Sequence, residues 1–155
     1  MRRHIDTETP ADIDPREQEL QRVLSVLLPI RKQRLNRSER LQRKQKQQLQ
    51  QSQQTYHHGT QQLQQSQQRY EQTVDVFAKA HQGKSEPQSQ LYDAINTEQR
   101  QRTDLLCQQQ QVTLLQQDMQ KQQLLTDDAQ REVQHNQRDV EKIEYLLKIS
   151  GVTKP

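Results

Sequence analysis

Five histidines, one cysteine and one dense run of cations are the residues of this 155-residue chain equipped to hold a metal, attack a substrate or grip an anion. His4, His57, His58, His81 and His135 are scattered, and no cysteine or carboxylate stands near them at metal-site spacing. Each reads as a surface polar residue, so no metal and no other cofactor is expected. Cys107 sits next to Leu105 and reads as a small flanking side chain rather than a reactive thiol. A single cysteine excludes an internal disulfide and fits a reducing compartment. Gly59, Gly83 and Gly151 are too far apart to form a phosphate-cradling loop. With no catalytic constellation in view, a non-enzymatic protein is expected.

The cations are the feature with a chemical direction. Arg31, Lys32, Arg34, Arg37, Arg40, Arg43, Lys44 and Lys46 share their segment with one carboxylate, Glu39. Three uses compete for such a run. It can pair with the acids of 124–139, namely Asp127, Asp128, Glu132 and Asp139, which Arg131 and Arg138 interrupt. It can dock an acidic protein partner, or it can bind nucleic acid. Nucleic acid ranks last, because stacking aromatics and a second basic patch are both missing.

Composition limits what can position these groups. Only 28% of residues are hydrophobic and 3% aromatic, there is no tryptophan, and 35 residues are glutamine. Globular domains carry roughly 45–50% apolar residues, so a sheet sandwich, a barrel or a doubly wound fold lacks the material for its core. No stretch approaches the ~20 apolar residues of a membrane span. The first residues have no apolar core of a secretory signal, so a cytoplasmic location is the default expectation. A long coiled coil needs only a narrow apolar seam, and that economy suits this chain.

The seam is visible as a repeat of seven. Leu28, Leu35, Gln42, Leu49, Tyr56, Leu63, Tyr70 and Phe77 form one stripe, accompanied three residues on by Ser52, Gly59, Ser66, Thr73 and Ala80. Large side chains on one line and small ones on the next let helices approach closely. A second stripe runs through Leu91, Glu98, Leu105, Val112, Met119, Thr126, Val133, Val140 and Leu147, with a largely polar companion. Between them lie Gly83, Ser85 and Pro87, with Gly83 placed to end one helix and Ser85 to cap the next, Pro87 falling in its first turn. Asp14, Pro15 and Glu17 carry the start signals of the first helix.

The fold predicted is all-α: a disordered tail over 1–14, then a single antiparallel coiled-coil hairpin over 15–151, with a helix at 16–82, a turn at 83–85 and a helix at 86–149. Each helix extends roughly 100 Å at ~1.5 Å per residue, and strict sevens imply a left-handed supercoil. Facing residue numbers add to about 170, which sets His57 opposite Thr113 and His81 opposite Ser89. Two soft spots are expected: a kink or break at Pro29, and a weakened turn at His57-His58-Gly59.

The stretch 20–41, LQRVLSVLLPIRKQRLNRSERL, followed by a long Gln- and Arg-rich coiled coil, resembles the opening of the type III secretion stalk proteins, the FliJ/YscO/HrpO family. The resemblance implies a central-stalk component at the cytoplasmic face of a secretion apparatus involved in virulence. Such a protein couples a hexameric export ATPase to the export gate and helps escort secretion chaperones. It is peripheral to the inner membrane only through these partners. By the same analogy the end carrying both termini enters the ATPase ring, with Arg31, Arg34, Arg37 and Arg40 near it. Two other readings of the chain are a holdase-type chaperone that clamps client helices along a half-polar seam, and a scaffold that dimerises through exposed seams. A stalk should be largely monomeric, which separates it from the scaffold.

Overall fold

The computed structural model of the chain describes residues 14–81 and 87–150, so the expected tail (Asp14 apart) and the expected turn at 83–85 lie outside the described residues. Two helices account for nearly all of them: α1, Pro15–His81, and α2, Gln88–Ile149. They pack against each other as an antiparallel hairpin, and among the described residues there is no strand. None of the described helices is long and apolar enough to cross a membrane.

Local chemistry sets the helix ends. The Asp14 side chain accepts the Arg16 amide at 3.1 Å, while its carbonyl accepts the amides of Glu17 at 2.9 Å and Gln18 at 3.1 Å. Asp14 therefore caps α1, and Pro15, which has no amide hydrogen to satisfy, takes the first helical position. At the start of α2 the Pro87 carbonyl accepts from Gln90 and Leu91 at 3.1 and 3.3 Å. Pro87 thus stands just outside α2 instead of within its first turn; Ser85 lies outside the described residues. Ser150 closes α2, its amide bonding to Leu146 at 3.0 Å and its hydroxyl to Leu147 at 2.8 Å.

The chain divides into two compact units: one formed by residues up to Lys44 with those from Asp127, the other spanning Gln45–Thr126. In the first unit Leu24, Ile143 and Leu147 form a buried cluster, with Leu27 and Leu28 packed on it. Ala129, Val133 and Val140 extend the buried line along α2, and Leu147 keeps only 2% of its surface exposed. Gln21 donates to the Ser150 carbonyl at 2.8 Å and ties the two helices together near their outer ends.

α1 runs through Pro29 without a break. Proline leaves the Ser25 carbonyl without its helical donor. Ser25 and Pro29 both lie on the exposed side of α1, where water can take that place. The expected break is therefore corrected: the missing bond falls on the wet face and the seam beside it is untouched.

The second unit is built on a poorer seam. Leu49, Tyr56, Leu63, Tyr70 and Phe77 of α1, and Leu105, Val112 and Met119 of α2, are only half-buried; Leu91 is 40% exposed. No hydrophobic residue described in this unit is fully buried. Polar bonds hold part of its register. Gln122 donates to both the carbonyl and the side-chain oxygen of Gln45, and Thr126 donates to the Gln45 carbonyl at 3.2 Å. The carboxamide oxygens of Gln101 and Gln108 are buried without a hydrogen-bond partner in the structure, which costs stability.

α1 is helical through His57-His58-Gly59, the second soft spot expected from the sequence. A methyl group at Gly59 would stand 2.9 Å from Leu115 Cδ1 and 3.7 Å from Val112 Cγ2. Glycine here is the hole that receives Leu115, so close packing offsets its low helix propensity.

These differences in burial carry two predictions. Leu147→Ala should lower unfolding stability by about 2–5 kcal/mol in chemical denaturation, since the methyl groups removed are fully buried. Native-state hydrogen exchange should show faster amide opening across Leu49–Leu63 and Leu105–Met119 than across Val133–Leu147. Equal protection would contradict the difference in core quality.

Candidate functional site

The first unit carries the cation run to Lys44, and the six residues expected to bind a partner fall into two groups. Arg31 takes a seam position and is half-buried, its guanidinium 3.5 Å from Asp139 Oδ2. Lys32 points along the flank, with Nζ 3.7 Å from Glu144 Oε1. The Arg31–Asp139 pair keeps the expected register, whereas Lys32 reaches about six residues along α2 to Glu144. Arg34, Arg37, Arg40 and Arg43 are exposed. Arg43 Nε donates to the Glu39 carbonyl at 3.4 Å. Among the described residues none of these four guanidiniums, nor Lys44, has a carboxylate within 4 Å.

The acids divide in the same uneven way. Of the four expected to neutralise the run, Asp139 does so, through Arg31, and it also has His135 Nε2 at 3.6 Å. Asp128 turns to its own helix and pairs with Arg131 at 3.4 Å. Glu144, absent from the sequence-based set, takes Lys32. The expected register sets Lys32 opposite Arg138, so this pair reaches about six residues along α2 and had no signal in the sequence. Arg34, Arg37, Leu41, Glu132, His135 and Asp139 line an open groove between the helices, and charges of opposite sign face each other across it.

A second feature escaped the sequence reading. Leu20, Val23 and Ile30 are 53%, 45% and 43% exposed, and with half-buried Leu27 they repeat at three and four residues, as a second seam would. Leu146 and Ile149 of α2 are 38% and 62% exposed. The 3-4-3 spacing of 20, 23, 27 and 30 was the available signal, hidden because the first stripe was read as the only one.

In the second unit, Glu98 occupies a seam position. Tyr70 Oη and Arg102 Nη2 each donate to Glu98 Oε1 at 2.6 Å. The Tyr70 hydrogen bond, aided by Arg102, holds the Glu98 carboxyl below its ordinary value against a smaller opposing effect of burial. Hydrogen bonding with Tyr70, and then with Glu98, raises Arg102. Above this triad, Thr73, Val74, Phe77, Ala94 and Ile95 line an open, largely apolar cavity.

The residues with metal or redox chemistry stay apart. His57 shares a 3.2 Å contact with Gln61, while His58, His135 and Cys107 are exposed. His4 lies outside the described residues. Among the described residues no three of His, Cys, Asp and Glu stand close enough together to hold a metal ion. The chain matches no family model, no curated protein and no solved structure.

The depressed Glu98 carboxyl sets a pH dependence. Its stabilising contribution is complete above the ordinary value of 4.5 and is lost as pH falls through the lower folded-state value. Thermal melts of wild type and Glu98→Gln should therefore differ at pH 7 and converge as the solution is acidified below pH 4.5. A difference that stays constant with pH would show that the carboxylate charge contributes nothing.

Proposed function

We propose that the protein is a non-enzymatic central-stalk component of a bacterial type III secretion system, acting at the cytoplasmic face of the apparatus. It couples the hexameric export ATPase to the export gate and helps escort secretion chaperones and their cargo. The observation that carries this reading is a set of arginines (Arg34, Arg37, Arg40 and Arg43) held exposed on a two-helix hairpin, with no carboxylate within 4 Å of their guanidiniums among the described residues. A helix does not need four like charges on its wet side to fold; repulsion among them costs stability unless something acidic meets them.

The mechanism follows from that arrangement. The cations steer the hairpin into an acidic ring opening, raising the association rate, and their exposure makes the encounter sensitive to salt. Once seated, the hairpin is the part through which changes in the ATPase reach the gate. Arg31 and Lys32 contribute less to docking than the sequence suggests, because Asp139 and Glu144 already hold them.

A holdase-type chaperone is the second reading. The open apolar cavity beside Phe77 and Ile95, together with the orphaned glutamines of that seam, favours it as a place to clamp a client helix. It requires suppression of client aggregation with no ATPase present.

The stalk reading is tested by adding the purified chain to the export ATPase. Hydrolysis should rise, and Arg34→Gln/Arg37→Gln/Arg40→Gln should abolish the rise, whereas Arg31→Gln/Lys32→Gln should retain most of it. Stimulation left unchanged by the triple variant would contradict the role given to this face.

A further inference from the structure

We infer that one side of the first unit is a self-association surface, which binds a second copy of the chain lying alongside and pointing the same way. The argument begins with a second seam on α1, offset from the one that meets α2. Leu20, Val23, Leu27 and Ile30 form its apolar half, and the same 3-4 spacing continues through Arg34, Arg37, Leu41 and Lys44. On α2 the matching line runs in the opposite direction. Ile149 and Leu146 come first, then Asp139, Glu132 and Asp128, with Lys142 and His135 between them. Arg34, Arg37, Glu132 and Asp139 lining one groove shows that the two lines lie on the same side of the hairpin.

Because the helices are antiparallel, the two lines match level by level. Leu20 and Val23 lie level with Ile149 and Leu146, Leu27 and Ile30 with Lys142 and Asp139, and Arg37 and Lys44 with Glu132 and Asp128. Within one molecule Asp139 is taken by Arg31, but Arg34 and Arg37 have no carboxylate within 4 Å among the described residues, and Glu132 stays across the groove from them.

This pattern selects the occupant. A single acidic helix laid in the groove is attracted by the α1 wall and repelled by Glu132 and Asp139 on the other; a basic helix meets the reverse. A second hairpin related by a two-fold axis running along the helices avoids both penalties. That operation sets α1 of each copy beside α2 of the other, so Arg37 and Lys44 meet Glu132 and Asp128, and Leu20 and Val23 meet Ile149 and Leu146, at the same level. Both contacts are made at once, because a two-fold axis repeats every contact, and four helices packed at ~20° are an ordinary bundle. Turning one copy end for end would press the apolar half of one onto the charged half of the other.

The inference goes beyond the stalk reading and does not rest on it. The surface includes Arg34 and Arg37; a stalk is expected to be largely monomeric, so a dimer held by this surface counts toward the scaffold that pairs through exposed seams.

The test uses the full chain alone. Sedimentation velocity from about 1 to 200 µM should show a reversible monomer–dimer equilibrium that weakens as salt is raised. Two charge-reversed variants probe the surface, Arg37→Glu/Lys44→Glu on α1 and Asp128→Lys/Glu132→Lys on α2. Each should be monomeric alone with helical circular dichroism retained, and an equimolar mixture should recover the dimer, since both contacts then pair opposite charges. Val23→Ser/Ile149→Ser, at two exposed positions, should also shift the equilibrium at least tenfold toward monomer, and this keeps the inference testable should a charge variant misfold. A wild-type chain monomeric throughout the range would overturn it and leave the surface to a partner of another sequence. A dimer indifferent to these substitutions, or folded variants that fail to pair when mixed, would overturn it equally.

Discussion

The interaction on which the rest depends is the contact between two narrow heptad stripes. With 28% hydrophobic residues the chain has no second way to bury apolar surface, so its helices persist by facing each other. Where the stripes are rich, as at Leu24, Val140, Ile143 and Leu147, the seam is dry. Each such side chain contributes about 1.5–3 kcal/mol on burial, a large share of the stability of a small fold. The seam of Gln45–Thr126 is less well supplied and combines half-buried leucines and tyrosines with polar residues.

Those polar residues are handled in different ways, and the differences follow from what faces each of them. Gln122 and Thr126 meet an α1 backbone carbonyl, that of Gln45, and so their bonds report register as well as contact. Glu98 meets the Tyr70 hydroxyl and the Arg102 guanidinium, which let a carboxylate sit in the seam as an anion. Gln101 and Gln108 meet nothing that can donate to their carboxamide oxygens. A seam with both satisfied and orphaned polar groups is specific in register yet weak in places, a combination that permits local opening.

Much of this could be read from residue types and spacing. The sevens of Leu28–Phe77 and Leu91–Leu147 mark the lines along which the helices meet, and Asp14-Pro15 marks the start of α1. What could not be read depended on which side of a helix faces water or on a residue far away in sequence. Pro29 looks like a break until its carbonyl partner is found on the wet face. Gly59 shows only its low helix propensity until Leu115, fifty-odd positions on, is found in the space it leaves. Glu144 was missed as a partner of Lys32 because it lies beyond the 124–139 stretch and about six residues from the level that faces Lys32. The outward line of Leu20–Ile30 was hidden by the seam beside it.

The functional reading inherits this geometry. An arginine that turns inward is used up by the fold, as Arg31 is by Asp139, whereas one that turns outward has a charge to offer a partner. The account therefore rests on the helices being zipped in register in solution. Paramagnetic labels at Gln50 and Gln120, two exposed positions at one level of the Gln45–Thr126 unit, with Cys107 replaced by serine, test this most directly. Helix axes 8–10 Å apart predict one narrow distance distribution centred at roughly 20–30 Å once the label arms are included. A broad distribution reaching beyond roughly 50 Å would mean that the stripes do not hold the helices together, and the face built on them would have no fixed form.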